Sequence, residues 1–381
     1  MLCHAKHMLF SGVYAVINQK GIGLVELMVS ITIAAFVLAG VVQLYLTSTQ
    51  NVSTFEGSSR IQENARYVFT RLEKDIGRAG NLGCFSFSSL STIEQIGTTK
   101  VPKYPRVKNY LSVGTGSGAL FDFSRFIDGV NDGGPGAVAS DSLLLRFASP
   151  EDTFLVYGAS ATSFNVGADK VDDFDVGQVV VGGDCSTVSI FSVSGKSGSS
   201  ISTGTALADS YSSYNADKTV SASQGLAGMR IYGGDTGSVR YFVGTSAAGS
   251  ALSQSCTAAS PQYCALFRET AKIESGAVVT TPVEIVEGIQ DFQILYGRID
   301  DDDNLILQTS VALDSAVNGD GDSIADYVWS QVDRVKVSMV LNSINNASTN
   351  EGAGLLTRSY SRVFTIHNQL PACLDCKGAQ I

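Results

Sequence analysis

Between residues 24 and 46 almost every position is apolar, LVELMVSITIAAFVLAGVVQLYL, and Glu26 is the lone charge. Twenty-three such residues read as a membrane-spanning helix, because a bilayer core needs about 20. The pattern then changes without a break. Val52, Phe55, Ser59, Gln62, Ala65, Val68, Phe69, Leu72 and Ile76 recur at three- and four-residue steps, with Arg60, Glu63, Arg66, Arg71 and Lys74 between them. The spacing predicts one long helix, amphipathic in its second half, whose apolar face packs on the protein's own sheet. Gly77, Gly80 and Gly83 around Asn81 supply stop signals, so the helix should end near Arg78.

Downstream the period shortens to two. Leu143, Leu145 and Phe147 alternate with Leu144 and Arg146, and Val335, Val337, Met339 and Leu341 alternate with Arg334, Lys336 and Ser338, as a sheet with one dry face requires. VGQVVVGGDC and STVSIFSVS are β-rich around a Gly-Gly turn, and MRIYGGDTGSVRYFVG reads as a hairpin with Gly233, Gly234, Asp235 and Gly237 at its tip. Stretches rich in Gly, Ser and Ala near 196–224 and 244–259 read as loops or insertions. The expected fold class is α+β, a long N-terminal helix on a mainly antiparallel sheet.

Composition narrows the chemistry. With 44% apolar and 16% charged among 381 residues, the chain can bury a core. Its formal charge of −10 and the lack of a basic stripe disfavour nucleic acid as a partner. His4, His7 and His367 are the three histidines, so a Ser-His-Asp or Cys-His centre would have to use His367, and no His-rich zinc site can be built. Gly114, Gly116 and Gly118 in VGTGSGAL lack the following Lys-Ser or Lys-Thr of a phosphate loop and read as an exposed turn.

Lys6 and Lys20 precede the apolar segment, which by the positive-inside rule keeps the N-terminus cytoplasmic and sends the rest across the membrane. The segment is longer than the apolar part of a cleaved secretory signal, and no small-residue cleavage site follows it. Glu26 wants a cation, because an acidic residue in a membrane helix costs about 2.5–3.5 kcal/mol at the helix centre.

Lys20-Gly21-Ile22-Gly23-Leu24-Val25-Glu26 resembles the processing site of type IV prepilins. The resemblance implies a cut by prepilin peptidase between Gly21 and Ile22, N-methylation of Ile22, and a Glu26 that neutralises the terminal ammonium of a neighbouring subunit. The leader would be 1–21, with Met8 a second candidate start; 22–48 would span the membrane, 49–79 would form the amphipathic half of the helix, and 80–381 the β-rich periplasmic domain. SSRIQENARYVFTRLEKDIGRAGNLGC, from Ser58 to Cys84, resembles the PilW branch of minor pilins. VEIVEGIQDFQILYGRID, the acidic loop before Trp329, VDRVKVSMVLNS and SRVFTIHNQL continue the likeness, whereas about 85–272 carries little of it. A type IV pilin-like fold is thereby implied.

Removal of the leader takes Cys3 and leaves six cysteines, an even number suited to an oxidising periplasm. Cys84 with Cys185 is the pairing the resemblance implies; Cys256 with Cys264 and Cys373 with Cys376 are paired by closeness in sequence. Asn318, Asp320, Asp322 and Asp326 stand at positions 1, 3, 5 and 9 of an acidic loop, as in the first part of an EF-hand, and make calcium the candidate ligand. The twelfth position is Trp329 rather than Glu, and Asp300 to Asp303 could complete the shell; the plain reading is a solvated acidic turn.

These readings converge on a non-enzymatic minor pilin that primes type IV pili and is incorporated into them, for adhesion, twitching motility or DNA uptake. Its expected partners are other minor pilins, the major pilin, prepilin peptidase and a tip adhesin. The alternatives are the large minor pseudopilin of a type II secretion system and, further off, a membrane-anchored periplasmic enzyme or sugar-binding domain.

Overall fold

The computed structural model describes residues 23–83, 92–96, 99–103, 107–115, 119–133, 139–149, 153–183, 188–207, 230–299, 304–317, 321, 323–349 and 352–368. Leu24–Arg78 is a single helix of 55 residues. The chain divides into two compact units, Met1–Ser53 and Thr54–Ile381.

In the first unit the helix is exposed on every side from residue 24 onward, and it is long and apolar enough to cross a membrane. Ser30 and Thr32 turn their hydroxyls onto the carbonyls of Glu26 and Met28, so neither brings an unsatisfied donor into the apolar stretch.

In the second unit the helix buries Ile61, Ala65, Val68, Leu72 and Ile76. This face differs from the sequence reading at its start. Val52 and Phe55 are largely exposed, as are Ser59 and Gln62, while Ile61 is fully buried. Counted back from Val68 in steps of about 3.6, the buried row runs through Ala65 and Ile61 to Gly57, and the row through Gln62, Ser59, Phe55 and Val52 lies to one side of it. Gly57 marks the close approach, since a Cβ there would stand 3.0 Å from that of Ser343. The helix stops as expected, with Gly80 at φ +74 and its amide bonded to the Arg146 carbonyl.

Two antiparallel sheets receive that face. One has five strands in the order Ala277–Glu287, Cys264–Glu274, Gly237–Thr245, Ser142–Phe147, Ile127–Val130; the other has four, in the order Leu305–Gln308, Ile289–Ile299, Arg334–Thr349, Gly352–Thr365. Val335, Val337, Met339 and Leu341 are buried as the alternation required. Ser142–Phe147 departs from it, because Leu144 and Arg146 are buried as well. Leu143, Leu145, Tyr241, Leu266, Ile294, Val337 and the helix row share one core.

A third sheet of eight strands runs Thr153–Leu155, Arg230–Tyr232, Val179–Gly183, Val188–Ser197, Ser200–Thr203, Ser163–Asn165, Gly158–Ala159, with Val107–Asn109 parallel to Val188–Ser197. Alternation works here in both directions. Val179, Val181, Val188 and Ile190 join the main core, whereas Val180, Phe191 and Val193 face a second core with Phe164, Phe174 and Ile231. Thr92–Ile96 and Thr99–Lys103 form a separate two-stranded ribbon.

The stretch expected to be a hairpin at 229–244 turns where predicted but does not pair with itself. Arg230–Tyr232 lies in the eight-stranded sheet and Gly237–Thr245 in the five-stranded one. Gly237, at φ +115, makes the corner, and the turn is closed by the Thr236 amide on the Gly233 carbonyl at 3.1 Å. Gly237 then pairs with Phe147, and the Ser149 amide donates to Thr236 Oγ1 at 2.8 Å, so the chain comes back beside the point where it left the sheet.

Candidate assembly site

Glu26 stands in the first turn of the long helix and is exposed. Gly21 and Ile22, the expected processing residues, lie outside the described residues. The apolar helix and its one carboxylate are therefore what the first unit offers to a neighbour or to lipid.

Within the second unit the helix is fastened by a polar anchor that the sequence reading missed. Asp75 is fully buried and its Oδ2 accepts from Tyr241 Oη at 2.6 Å and from Arg268 Nε at 2.8 Å. Tyr241 and Arg268 face each other across the two adjacent strands Gly237–Thr245 and Cys264–Glu274. Arg268 also reaches Asp235, at the corner between sheets, at 2.8 Å, and Arg71 stands 3.8 Å from both acids. Burial raises the Tyr241 pKa and the adjacent Asp75 charge raises it further, so the phenol stays a donor. For Arg268 burial pulls downward, but Asp75 and Asp235 outweigh it and hold the guanidinium above its usual range. The available signal was a carboxylate at the 3–4 spacing of the apolar row, between Leu72 and Ile76.

A second charged centre braces the acidic loop. Arg125 Nε donates to Asp326 Oδ1 and its NH1 to Asp314 Oδ1, each at 2.7 Å. Asp314 lies before residues 318–322 in the sequence and Asp326 after them, so one guanidinium bridges the two flanks of that segment. Trp329 Nε1 donates to the same Asp314 oxygen at 2.8 Å, and Arg125 lies over the indole at 5.5 Å. Trp329, fully buried edge-on to Tyr296, is thus a core pillar where an EF-hand would place its glutamate. Burial lowers the Arg125 pKa, but the bonds from Asp326 and Asp314 outweigh it and the net shift is upward.

Behind it Arg146 is completely buried, with its guanidinium donating to the carbonyls of Leu120, Arg125 and Ala119 and lying 3.7 Å from Asp128 Oδ2. Burial pulls Arg146 down to about 10, and raises Asp128 despite the neighbouring Arg146. A cleft of about 460 Å³ opens here, lined by Arg125, Asp128, Leu144, Arg240, Asp314 and Ser323 among others. Its charges are already paired, Arg125 with Asp314 across the cleft and Arg240 with Glu269 outside it.

Cys256 and Cys264 form a disulfide, as their closeness suggested, with Cα atoms 4.6 Å apart. The bridged loop is clipped to the four-stranded sheet by Asn342 Nδ2 on the Pro261 carbonyl at 2.9 Å. Cys84, Cys185, Cys373 and Cys376 lie outside the described residues, as do Asn318, Asp320, Asp322 and Asp300 to Asp303. Of the expected calcium ligands Asp326 is described, and its Oδ1 is engaged by Arg125. Among the described residues no group of three or more His, Cys, Asp or Glu is arranged to hold a metal.

The family model for PilW, Type IV Pilus-assembly protein W, matches residues 240–362, and that for the prokaryotic N-terminal methylation motif matches residues 17–42. These two matches support a PilW-type minor pilin with a prepilin-like N-terminus. The PilW match takes in Tyr241 and Arg268 of the anchor, the disulfide and three of the four strands of the second sheet, through Arg362 of the last. It begins at 240, inside the stretch that carried little resemblance on sequence reading, and it leaves out the Ser58 to Cys84 segment. The methylation-motif match covers Lys20 to Glu26 and most of the apolar helix, which fits a membrane-anchored pilus protein. No curated protein and no solved structure matches the chain.

Proposed function

We propose that this PilW-type chain helps prime the assembly of type IV pili and is then incorporated into them, from the inner membrane and with its β-rich part in the periplasm. The observation that carries the reading is the pairing of a methylation-motif match at 17–42 with an apolar helical segment, 24–46, whose single charge is Glu26. Prepilin peptidase would cut after Gly21 and leave Ile22 as the methylated first residue. In a bundle of such helices, Glu26 of one subunit neutralises the terminal ammonium of the next, which converts the cost of a lone carboxylate in lipid into a registration device. The helix is prepared for that use, because its second half is already held by the Asp75 anchor. Adjoining minor pilins, the major pilin and a tip adhesin as partners belong to this reading, as does calcium at Asn318, Asp320, Asp322 and Asp326.

Glu26→Ala tests it. Membrane insertion and cleavage should persist, because the helix becomes more apolar, while crosslinking to partner pilins and piliation fall. Normal piliation in this variant, or a mature protein that still begins before Ile22, contradicts the reading.

A further inference from the structure

The four-stranded sheet ends in Gly352–Thr365, a strand of 14 residues that pairs with Arg334–Thr349 along one edge. Its other edge pairs with no strand among the described residues. An open edge is a row of unpaired backbone donors and acceptors, and folds usually blunt it by shortening it, placing proline in it or covering it. The other sheet ends here follow that rule. Leu305–Gln308 and Ile127–Val130 have 4 residues each, and Ala277–Glu287 carries Pro282 at its middle. Gly352–Thr365 has neither device, and it is exposed at 357–359 and again at 361–363.

Period two sorts its side chains. Phe364 packs 5.9 Å from Phe69 of the helix, and Arg362 reaches Glu73 at 3.0 Å, so Arg358, Tyr360, Arg362 and Phe364 share the helix side. Thr357, Ser359, Ser361 and Val363 share the outer side, where Ser361 is hydrogen-bonded to Ser338. Arg362 is held by Glu73 and lies over Phe364 at 5.3 Å. Arg358 has no ion pair with another described residue.

We propose that Gly352–Thr365 is a receptor edge for an extended acidic strand from a different polypeptide of the pilus, which joins the sheet as its fifth strand. The inference rests on the pilus reading above. Backbone hydrogen bonds supply the affinity and alternate side chains the selectivity. Carboxylates on the partner strand would face Arg358 first, and Arg362 where it is shared with Glu73, and small or β-branched residues would face Ser359, Ser361 and Val363. A second copy of this chain fits poorly. Antiparallel self-pairing centred on these residues sets the arginines opposite or diagonal to their own copies, and parallel self-pairing aligns them, in either case juxtaposing like charges.

The test places a photo-crosslinking residue at Ser359 of the full chain, in cells that assemble the pilus, with the same residue at Thr281 as a control edge. The expected result is a Ser359 crosslink to an extended, acid-bearing segment of another polypeptide and none at Thr281. Arg358→Glu with Arg362→Glu should cut the yield about tenfold, as the loss of roughly 1.4 kcal/mol would, and the double lysine variant should retain it. Hydrogen exchange of Arg334–Thr349 checks that each variant is folded. In the isolated pilus complex, alternate amides of 354–364 should exchange at least about tenfold more slowly than in the detergent-solubilised chain. A crosslink to a second copy, no crosslink in pili that contain the chain, or unprotected edge amides overturns the inference while leaving the pilus reading intact. Absence of the chain from pili overturns both.

Discussion

Asp75 and Arg268 meet at 2.8 Å, the acid at zero exposure in the last turns of the helix and the base on an inner strand of the five-stranded sheet. Two charges taken out of water repay their desolvation when each is paired and hydrogen-bonded. Tyr241 and Asp235 each add a further bond, one to Asp75 Oδ2 and one to Arg268.

Asp75→Asn should therefore destabilise the chain by up to about 3–5 kcal/mol, because Arg268 loses its buried countercharge and keeps only the part-exposed Asp235. Tyr241→Phe should cost less, about 1–3 kcal/mol for an acceptor that loses one of its donors. Urea unfolding of the detergent-solubilised chain measures both, and a loss below about 1 kcal/mol for Asp75→Asn would show that helix and sheet are held by the apolar row alone.

The Asp128 carboxyl gives a pH dependence whose sign follows from its surroundings. Its folded pKa is raised by burial, so the folded state keeps the proton to higher pH than the unfolded chain does. This group's contribution is thus fully favourable below the ordinary carboxyl value of about 3.9 and declines as pH rises through the folded value. Relative to Asp128→Asn, whose side chain cannot ionise, the wild type should lose ground as pH rises from acid to neutral. Paired unfolding curves across that range check it, and a constant difference would mean that Arg146 fully offsets the burial.

Cys256 and Cys264 should resist alkylation in denatured, unreduced protein. We expect the same of Cys84, Cys185, Cys373 and Cys376, paired in that order. A bridge from Cys84 to Cys185 would close a loop of about 100 residues, for which chain entropy estimates about 4.7 kcal/mol, so loss of either cysteine should lower the melting temperature more than loss of the other pairs. Mass spectrometry of the labelled protein decides, and a labelled Cys373 and Cys376 would reopen a metal or redox reading of that pair.

Calcium should bind weakly, in the 10⁻⁴ to 10⁻³ M range roughly typical of extracellular modules, because Arg125 already occupies Asp326 Oδ1. Calorimetry with calcium, magnesium and chelator should show heat that disappears in Asp320→Ala plus Asp322→Ala. Identical behaviour in all three conditions would return the loop to a solvated acidic turn.

The long helix and the dry face of Arg334–Thr349 were legible in the sequence because a single period governs each over many residues. The Gly233–Gly237 segment was misread because a turn signal states that the chain reverses without stating which strand it meets. Asp75, Arg125 and Arg146 were missed for a related reason: each is a charge whose meaning depends on partners far off in sequence, and a charge on its own reads as solvated. Val52 and Phe55 erred the other way, since apolar residues at helical spacing fix a face only when their phase is counted from the buried end.

The pairing of Phe147 with Gly237 makes the 89 residues between them a detour inside what is otherwise one hairpin. Such a detour can be lengthened, shortened or exchanged without re-threading the sheet that carries it, since both of its ends are already fixed as neighbours. Its latitude is uneven. The Val179–Gly183 and Val188–Ser197 strands are pinned, for one of their faces completes the main core, whereas Phe164, Phe174 and Ile231 answer to one another. The PilW match begins at 240, just past the point of return. Variation among chains that share this frame should accordingly concentrate on the outer layer of the detour, giving each its own face on a common frame.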